Sequence, residues 1–184
     1  DVYKRQGEHR CYAVDVRDRA ALHAAAADFI AFCQGRVDVV IASAGISAGT
    51  LTEHGEDYDV FKAIVDTNLL ATVATFEPFV GAMRAAGAGR LVGIASVAGV
   101  RGLPGAGAYS ASKSAVVTYC ESLRLELAAD GIRVVTIAPG YIKTAMTAKN
   151  PYSMPFLMEA DAFAQRAHAA IERGTSYKAV SYTH

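Results

Sequence analysis

Short apolar runs alternate with longer stretches of helical periodicity along the whole sequence, and this alternation restricts the fold more than any other feature. The runs are Cys11 to Val14, Val37 to Ala42, Arg90 to Ala95 and Ile132 to Ala138. Each is rich in Val, Ile or Ala and too short to form a helix, as expected of a strand covered on both faces. Strands that alternate with helices build βα units and a mostly parallel sheet.

Between the first two runs, Asp18 is placed as an N-cap, and Leu22, Ala26, Phe29, Ile30 and Cys33 recur at helical spacing before Gly35 ends the helix. A second helical stretch runs from about Asp57 through Asn68 to Ala86, with a bend expected at Pro78. Gly87-Ala-Gly89 then turns the chain into a strand. The strongest helix, Ala108 to Asp130, is rich in Ala, Leu, Glu and Arg and is closed by Gly131. Beyond Pro139-Gly140 lie a segment enriched in Met, Phe, Tyr and Pro, a helix from about Asp161 to Arg173, and a strand starting near Tyr177 that the terminus cuts short.

With 184 residues, 52% hydrophobic and 20% charged, the chain suffices for one α/β domain and not for a second. Its net charge is zero and no dense Lys/Arg run occurs, so a nucleic-acid or anionic-membrane surface has no electrostatic basis. Cys11, Cys33 and Cys120 are widely spaced and odd in number, which fits buried free thiols in a reducing compartment. The histidines show no metal-ligand spacing, so no metal is expected. No apolar stretch reaches the length of a membrane span and no signal-peptide core is present, so a soluble, cytoplasmic protein is expected. The ends, residues 1–9 and 181–184, do not continue the patterns beside them and read as foreign sequence on a fragment.

The chemistry concentrates in Tyr109-Ser-Ala-Ser-Lys113. A four-residue spacing on a helix puts the Lys113 ammonium beside the Tyr109 phenol. A phenol titrates near pH 10, and a neighbouring cation would lower that value and make Tyr109 an acid/base. Ser96, at the end of the third apolar run, offers a neutral hydroxyl to a substrate oxygen. Taken singly, YxxxK is an ordinary surface pair, Asn68 a helix-interior Asn bonding nearby backbone, and Ser96 a turn residue.

Together, Asn68, Ser96, Tyr109 and Lys113 stand in the order and spacing of the short-chain dehydrogenase/reductase family, which the chain resembles over roughly residues 10 to 180. Asp15-Val16, Ala42-Ser-Ala-Gly45 and Pro139-Gly-Tyr-Ile-Lys-Thr144 extend the match. The resemblance implies an incomplete Rossmann-like, doubly wound parallel sheet and an NAD- or NADP-dependent oxidoreductase that interconverts an alcohol and a ketone or aldehyde. It implies that Tyr109 is the general acid/base, that Lys113 lowers its pKa and binds the nicotinamide ribose, that Ser96 orients the substrate, and that Asn68 holds a relay water. For the cofactor it implies Asp15 and Val16 at the adenine, Ser43, Ala44 and Gly45 along the dinucleotide, and Pro139, Gly140, Ile142 and Thr144 at the nicotinamide and phosphates. Ser43 replaces the family's usual Asn and keeps only part of its hydrogen-bonding capacity.

In the family the glycine-rich phosphate loop lies upstream of Asp15, and residues 1–10 do not hold it. Gly87-Ala-Gly89 and Gly105-Ala-Gly107 lack the strand-loop-helix context of a dinucleotide fingerprint, so weak cofactor binding is expected. Residues 141 to 158 correspond to a substrate lid, made apolar by Met146, Pro151, Tyr152, Met154, Pro155, Phe156, Leu157 and Met158. The helical stretches 59 to 86 and 108 to 130 correspond to a homodimer or homotetramer interface in many relatives. Two readings compete: a catalytically inert Rossmann-like scaffold, and a Ser-Lys acyl hydrolase built on Ser110 and Lys113.

Overall fold

The computed structural model describes residues 8–149 and 153–181. One parallel sheet contains β1 (Val39–Ala42), β2 (Gly89–Ile94), β3 (Ile132–Pro139) and β4 (Tyr177–Val180), in chain order. The register sets Val40 against Leu91, and Leu91 against Val134. Successive strand residues point to opposite faces. Leu91 and Val134 therefore enter one core, and their neighbours Val92 and Val135 enter the other.

The segment Cys11 to Val14, expected as the first strand, lies outside the sheet and is exposed. A strand needs a neighbour for its backbone groups. This segment instead runs beside α1 (Arg19–Phe32), where Arg10 and Tyr12 each donate to Asp28 at 2.5 Å and the Arg10 guanidinium stands 4.5 Å from the centre of the Phe32 ring. Cys11 is consequently a surface thiol and Cys33 is half-buried, so the expected burial holds for Cys120 alone.

Asp18 caps α1 as its chemistry dictates, accepting from the Ala21 amide at 3.0 Å. The second helical stretch divides into α2 (Asp57–Val65), a π-helical turn (Asp66–Leu70) and α3 (Ala71–Ala86). Pro78 sits within an uninterrupted α3, so the irregularity falls at the π turn rather than at the proline. Such turns are rare and concentrate at functional sites. α4 (Gly107–Glu126) ends through a short 3-10 turn at Gly131, and α5 (Ala160–Arg173) ends at Gly174, both glycines being left-handed.

Phe76 and Met83 of α3, with Val116, Cys120 and Leu123 of α4, cover one face of the sheet, and Ala167 and Ala170 of α5 cover the other. Burying each large apolar side chain contributes roughly 1.5–3 kcal/mol. At Gly93 an added Cβ would stand 2.5 Å from Cys120 Sγ, so α4 lies directly on β2. That contact carries the first turns of α4 to the carboxyl end of β2. Among the described residues no helix is long and apolar enough to cross a membrane.

Candidate active site

The loops leaving the carboxyl ends of β1, β2 and β3 carry Ser43 to Gly45, Ser96, and Pro139-Gly140. Open α/β sheets bind ligands along this edge. The start of α4 is held there by a single parallel bridge between Thr50 and Ala106, with the Thr50 amide donating to Gly105 O at 2.9 Å. Tyr109 and Lys113 follow in the first two helical turns.

Lys113 is 5% exposed, and its Nζ donates to Ile94 O at the end of β2 at 2.8 Å. Burial pulls its pKa down to about 8. Its Nζ lies 5.9 Å from the centre of the Tyr109 ring. Burial raises the Tyr109 pKa above its ordinary value, while a hydrogen bond with the Ser96 side chain lowers it. The expected depression of Tyr109 by Lys113 is therefore corrected: desolvation dominates. An ammonium that titrates near pH 8 is largely uncharged where a phenol ionises.

Ser96 is 7% exposed and caps a short 3-10 turn (Val97–Gly99). Its Oγ accepts from the Ala98 amide at 3.2 Å and donates to Pro139 O at 3.5 Å, which ties the β2 and β3 ends together. Three residues on, a Cβ at Gly99 would fall 2.8 Å from the Lys113 carbonyl carbon. The Ser96 turn thus rests on the α4 backbone at Lys113. Gly99 was missed from sequence because its requirement comes from a helix that packs on it.

Asn68 is fully buried in the π turn. Its Oδ1 accepts from the Ile46 amide at 2.8 Å, and its Nδ2 donates to Ile46 O and Ser112 Oγ, both at 3.0 Å. Ser112 Oγ in turn donates to Tyr109 O at 2.8 Å. Both amide protons of Asn68 are thus engaged by protein atoms, and the Oδ1 lone pair not facing Ile46 is what a relay water could use. Gly45 sits against this cluster, since a Cβ there would stand 3.2 Å from Asn68 Oδ1 and 3.4 Å from Lys113 Nζ. Ser43 and Ala44 are exposed on the same loop.

Asp15 and Val16 occupy the turn before α1. Arg17 grips the Asp15 carboxylate through its guanidinium and backbone amide and holds its pKa at about 2. Gly140 is fixed by its amide donating to Val180 O at 2.9 Å. Ile142, expected against the nicotinamide, is 8% exposed and belongs to the core under α5. Met158, expected in an apolar lid, is fully buried in the same core. The cause is a parallel bridge between these two residues, with Lys143 N donating to Met158 O and Met158 N to Tyr141 O.

Thr144 is exposed, and its amide donates to Thr147 Oγ1 at 2.9 Å. Of the remaining lid residues, Met146, Pro155, Phe156 and Leu157 are exposed and Met154 is half-buried. Pro151 and Tyr152 lie outside the described residues, as do residues 1–7 and 182–184 of the two ends. Ser110 Oγ is buried without a hydrogen-bond partner and Lys113 Nζ donates to Ile94 O, so no Ser-Lys bond of the hydrolase kind is present. Among the described residues no group of three or more His, Cys, Asp or Glu could hold a metal.

Fold and site together define a parallel α/β protein of Rossmann type with a Ser, Tyr and Lys cluster at the carboxyl edge of its sheet. The family model for short chain dehydrogenases matches residues 2–154, and the chain belongs to this family. It is similar to an uncharacterized oxidoreductase of Myxococcus xanthus (strain DK1622), 43% identical over 125 residues that make up 68% of this chain and 49% of the relative. It is also similar to the 2-dehydro-3-deoxy-L-rhamnonate dehydrogenase (NAD(+)) of Sphingomonas sp. (strain SKA58), 39% identical over 77% of this chain and 56% of that protein. The chain thus spans about half the length of the curated relatives it matches. Among solved structures, ElxO with NADP bound superposes with a TM-score of 0.81, at 24% identity, over 92% of this chain and 75% of the other.

Proposed function

We propose that the protein is an NAD- or NADP-dependent oxidoreductase that interconverts an alcohol and a ketone or aldehyde, with Tyr109 as general acid/base. The observation that carries this reading is the buried Lys113, its Nζ 5.9 Å from the centre of the Tyr109 ring, with the buried Ser96 near enough to the Tyr109 phenol to lower its pKa. A desolvated ammonium that makes its hydrogen bond to a single carbonyl keeps donors for a ribose diol. The missing Cβ at Gly45 lets the Asn68 amide and the Lys113 ammonium lie against the loop after β1, which places the proposed relay and ribose-binding groups side by side. Asp15, Val16, Ser43, Ala44, Gly45, Pro139, Gly140 and Thr144 are the residues that would hold the dinucleotide, with Ile142 contributing backbone. When bound, the nicotinamide ring supplies or takes the hydride.

Ser96 orients the substrate oxygen. Tyr109, protonated at neutral pH, gives its phenolic proton to the alkoxide oxygen as it forms, and takes it back in the reverse direction. At neutral pH, below its own pKa of about 8, Lys113 is still an ammonium and stabilises the resulting phenolate, and Asn68 supports proton return. The relatives' names cover both cofactors, NAD(+) in one and NADP in another. The exposed Met146, Phe156 and Leu157 favour an apolar substrate; a panel of aliphatic and sugar ketones tests this, and preference for sugars overturns it. A groove of about 720 Å³ between the α2–α3 connection and α4, lined by Leu70, Val73, Ala115 and Tyr119, supports homo-oligomerisation through these helices. A cytoplasmic location accords with such a role.

Gly87 to Gly89 joins a helix to a strand, and Gly105 to Gly107 opens α4 without a preceding strand, so neither forms a phosphate loop. The 184-residue chain alone is therefore expected to bind NADH or NADPH weakly, and clear binding in a fluorescence titration would refute that. The catalytic reading is tested by turnover in a form extended upstream by a glycine-rich βα unit. There Tyr109→Phe should lose about 10²–10⁴-fold in rate. Retained activity in that variant removes Tyr109 as the acid, and no activity in the parent favours the inert scaffold.

A further inference from the structure

A hydroxyl with no assigned role links the elements that meet at the site. Ser112 is 1% exposed, and its Oγ both accepts from Asn68 Nδ2 at 3.0 Å and donates to Tyr109 O at 2.8 Å. Asn68 uses the rest of its amide to grip Ile46 through the backbone amide and carbonyl. An unbroken hydrogen-bond chain therefore runs from the loop after β1, through the π turn, to the first turn of α4. Gly45, next to Ile46, lies against both Asn68 and Lys113.

We propose that Ser112 is a positioning residue that locks the Gly45-Ile46 turn, through Asn68, to the first turn of α4 and so sets where Tyr109 and Lys113 stand. A Ser that bonds only a carbonyl one turn back is commonplace on helices. What distinguishes Ser112 is that the same oxygen satisfies a buried amide proton from another element, whose loss would leave a donor unpaired away from water. A hydroxyl also matches this place, because it accepts and donates at once. The inference rests on Tyr109 as the acid/base, but its first consequence is structural and can be read without turnover.

The test is hydrogen exchange on the purified chain, comparing wild type with Ser112→Ala. The Ile46 amide, which donates to Asn68, should exchange about tenfold faster in the variant, the effect of one weakened hydrogen bond, while the amides of Ala167 and Ala170 under α5 stay unchanged. Asn68→Ala should speed Ile46 exchange further, and adding Ser112→Ala to it should have no additional effect. Unchanged Ile46 exchange, or strictly additive effects, overturns the proposal. If Ser112→Ala loosens the whole fold, Ser112→Cys keeps the volume with a weaker donor and must show the same local pattern.

Turnover in the upstream-extended form separates the two ideas. Ser112→Ala should reduce kcat about tenfold with the substrate KM within twofold, because orientation of the acid and not substrate contact is disturbed. If Tyr109→Phe is inactive while Ser112→Ala keeps wild-type kcat, the catalytic reading stands and the positioning role falls. If Tyr109→Phe remains active, the catalytic reading fails, and the exchange experiment still decides the clamp.

Discussion

Lys113 provides the sharpest quantitative test of the site, because burial costs a charged group in proportion to its lost hydration. Its pKa falls from 10.5 to about 8 on folding. Between those values the unfolded chain binds a proton that the folded chain has released. Stability therefore rises with pH across the window, by about 1.4 kcal/mol per pH unit and about 3 kcal/mol in all. Below pH 8 both states are protonated and the folded chain carries the whole penalty. Lys113→Met keeps an unbranched side chain and removes the titration. It also removes the donor to Ile94 O, a pH-independent loss of about 1–3 kcal/mol. Subtracting the variant's stability from the wild type's at each pH isolates Lys113. Tyr109, whose raised pKa makes stability fall above pH 10, largely cancels in the subtraction. With no Trp in the chain, urea unfolding is followed by far-UV circular dichroism at pH 7 and about pH 9.5. The wild type should gain about 2 kcal/mol on the variant over that interval. A difference that does not change with pH would show that Lys113 is hydrated and that the site is not closed around it.

Gly99→Ala should lose about 1–3 kcal/mol of unfolding free energy, since its Cβ would meet the α4 backbone 2.8 Å away and backbone cannot move aside. Gly102→Ala, with nothing within 4 Å, is the control, and equal losses in the same denaturation assay would exclude a close approach. In an NMR titration Asp15 should ionise at about 2, and Arg17→Ala should return it towards 3.8. The sign follows: the Asp15 contribution to stability is complete above 3.8 and lost as pH falls towards 2, and an Asp15 unaffected by Arg17→Ala would contradict the observed contact.

Much of the frame was legible because strand and helix periods depend on local order. Val37 to Ala42, Arg90 to Ala95, Ile132 to Ala138 and the start near Tyr177 all became strands, and Asp18 and Gly131 began or ended helices through their own backbone chemistry. Cys11 to Val14 has the same local pattern and failed, because a strand exists only with a neighbour. The Pro78 bend failed for the opposite reason: surrounding packing holds α3 through the proline, while the π turn that does interrupt the helix has no local signature.

The identities and spacing of Asn68, Ser96, Tyr109 and Lys113 mark the family without any coordinates, because sequence order along βα units determines which loops reach the carboxyl edge. The electrostatics of those residues did not follow from spacing. A pKa answers to burial and to every neighbour in three dimensions, so Lys113 emerged with a lowered value and Tyr109 with a raised one. Ser112, Gly99 and Thr147 owe their roles to partners brought against them by the fold, and the bridge between Ile142 and Met158 turns both side chains into the core under α5. Composition and period set the chain's elements; only packing, which joins residues distant in sequence, decided which side chains meet and what charge they carry.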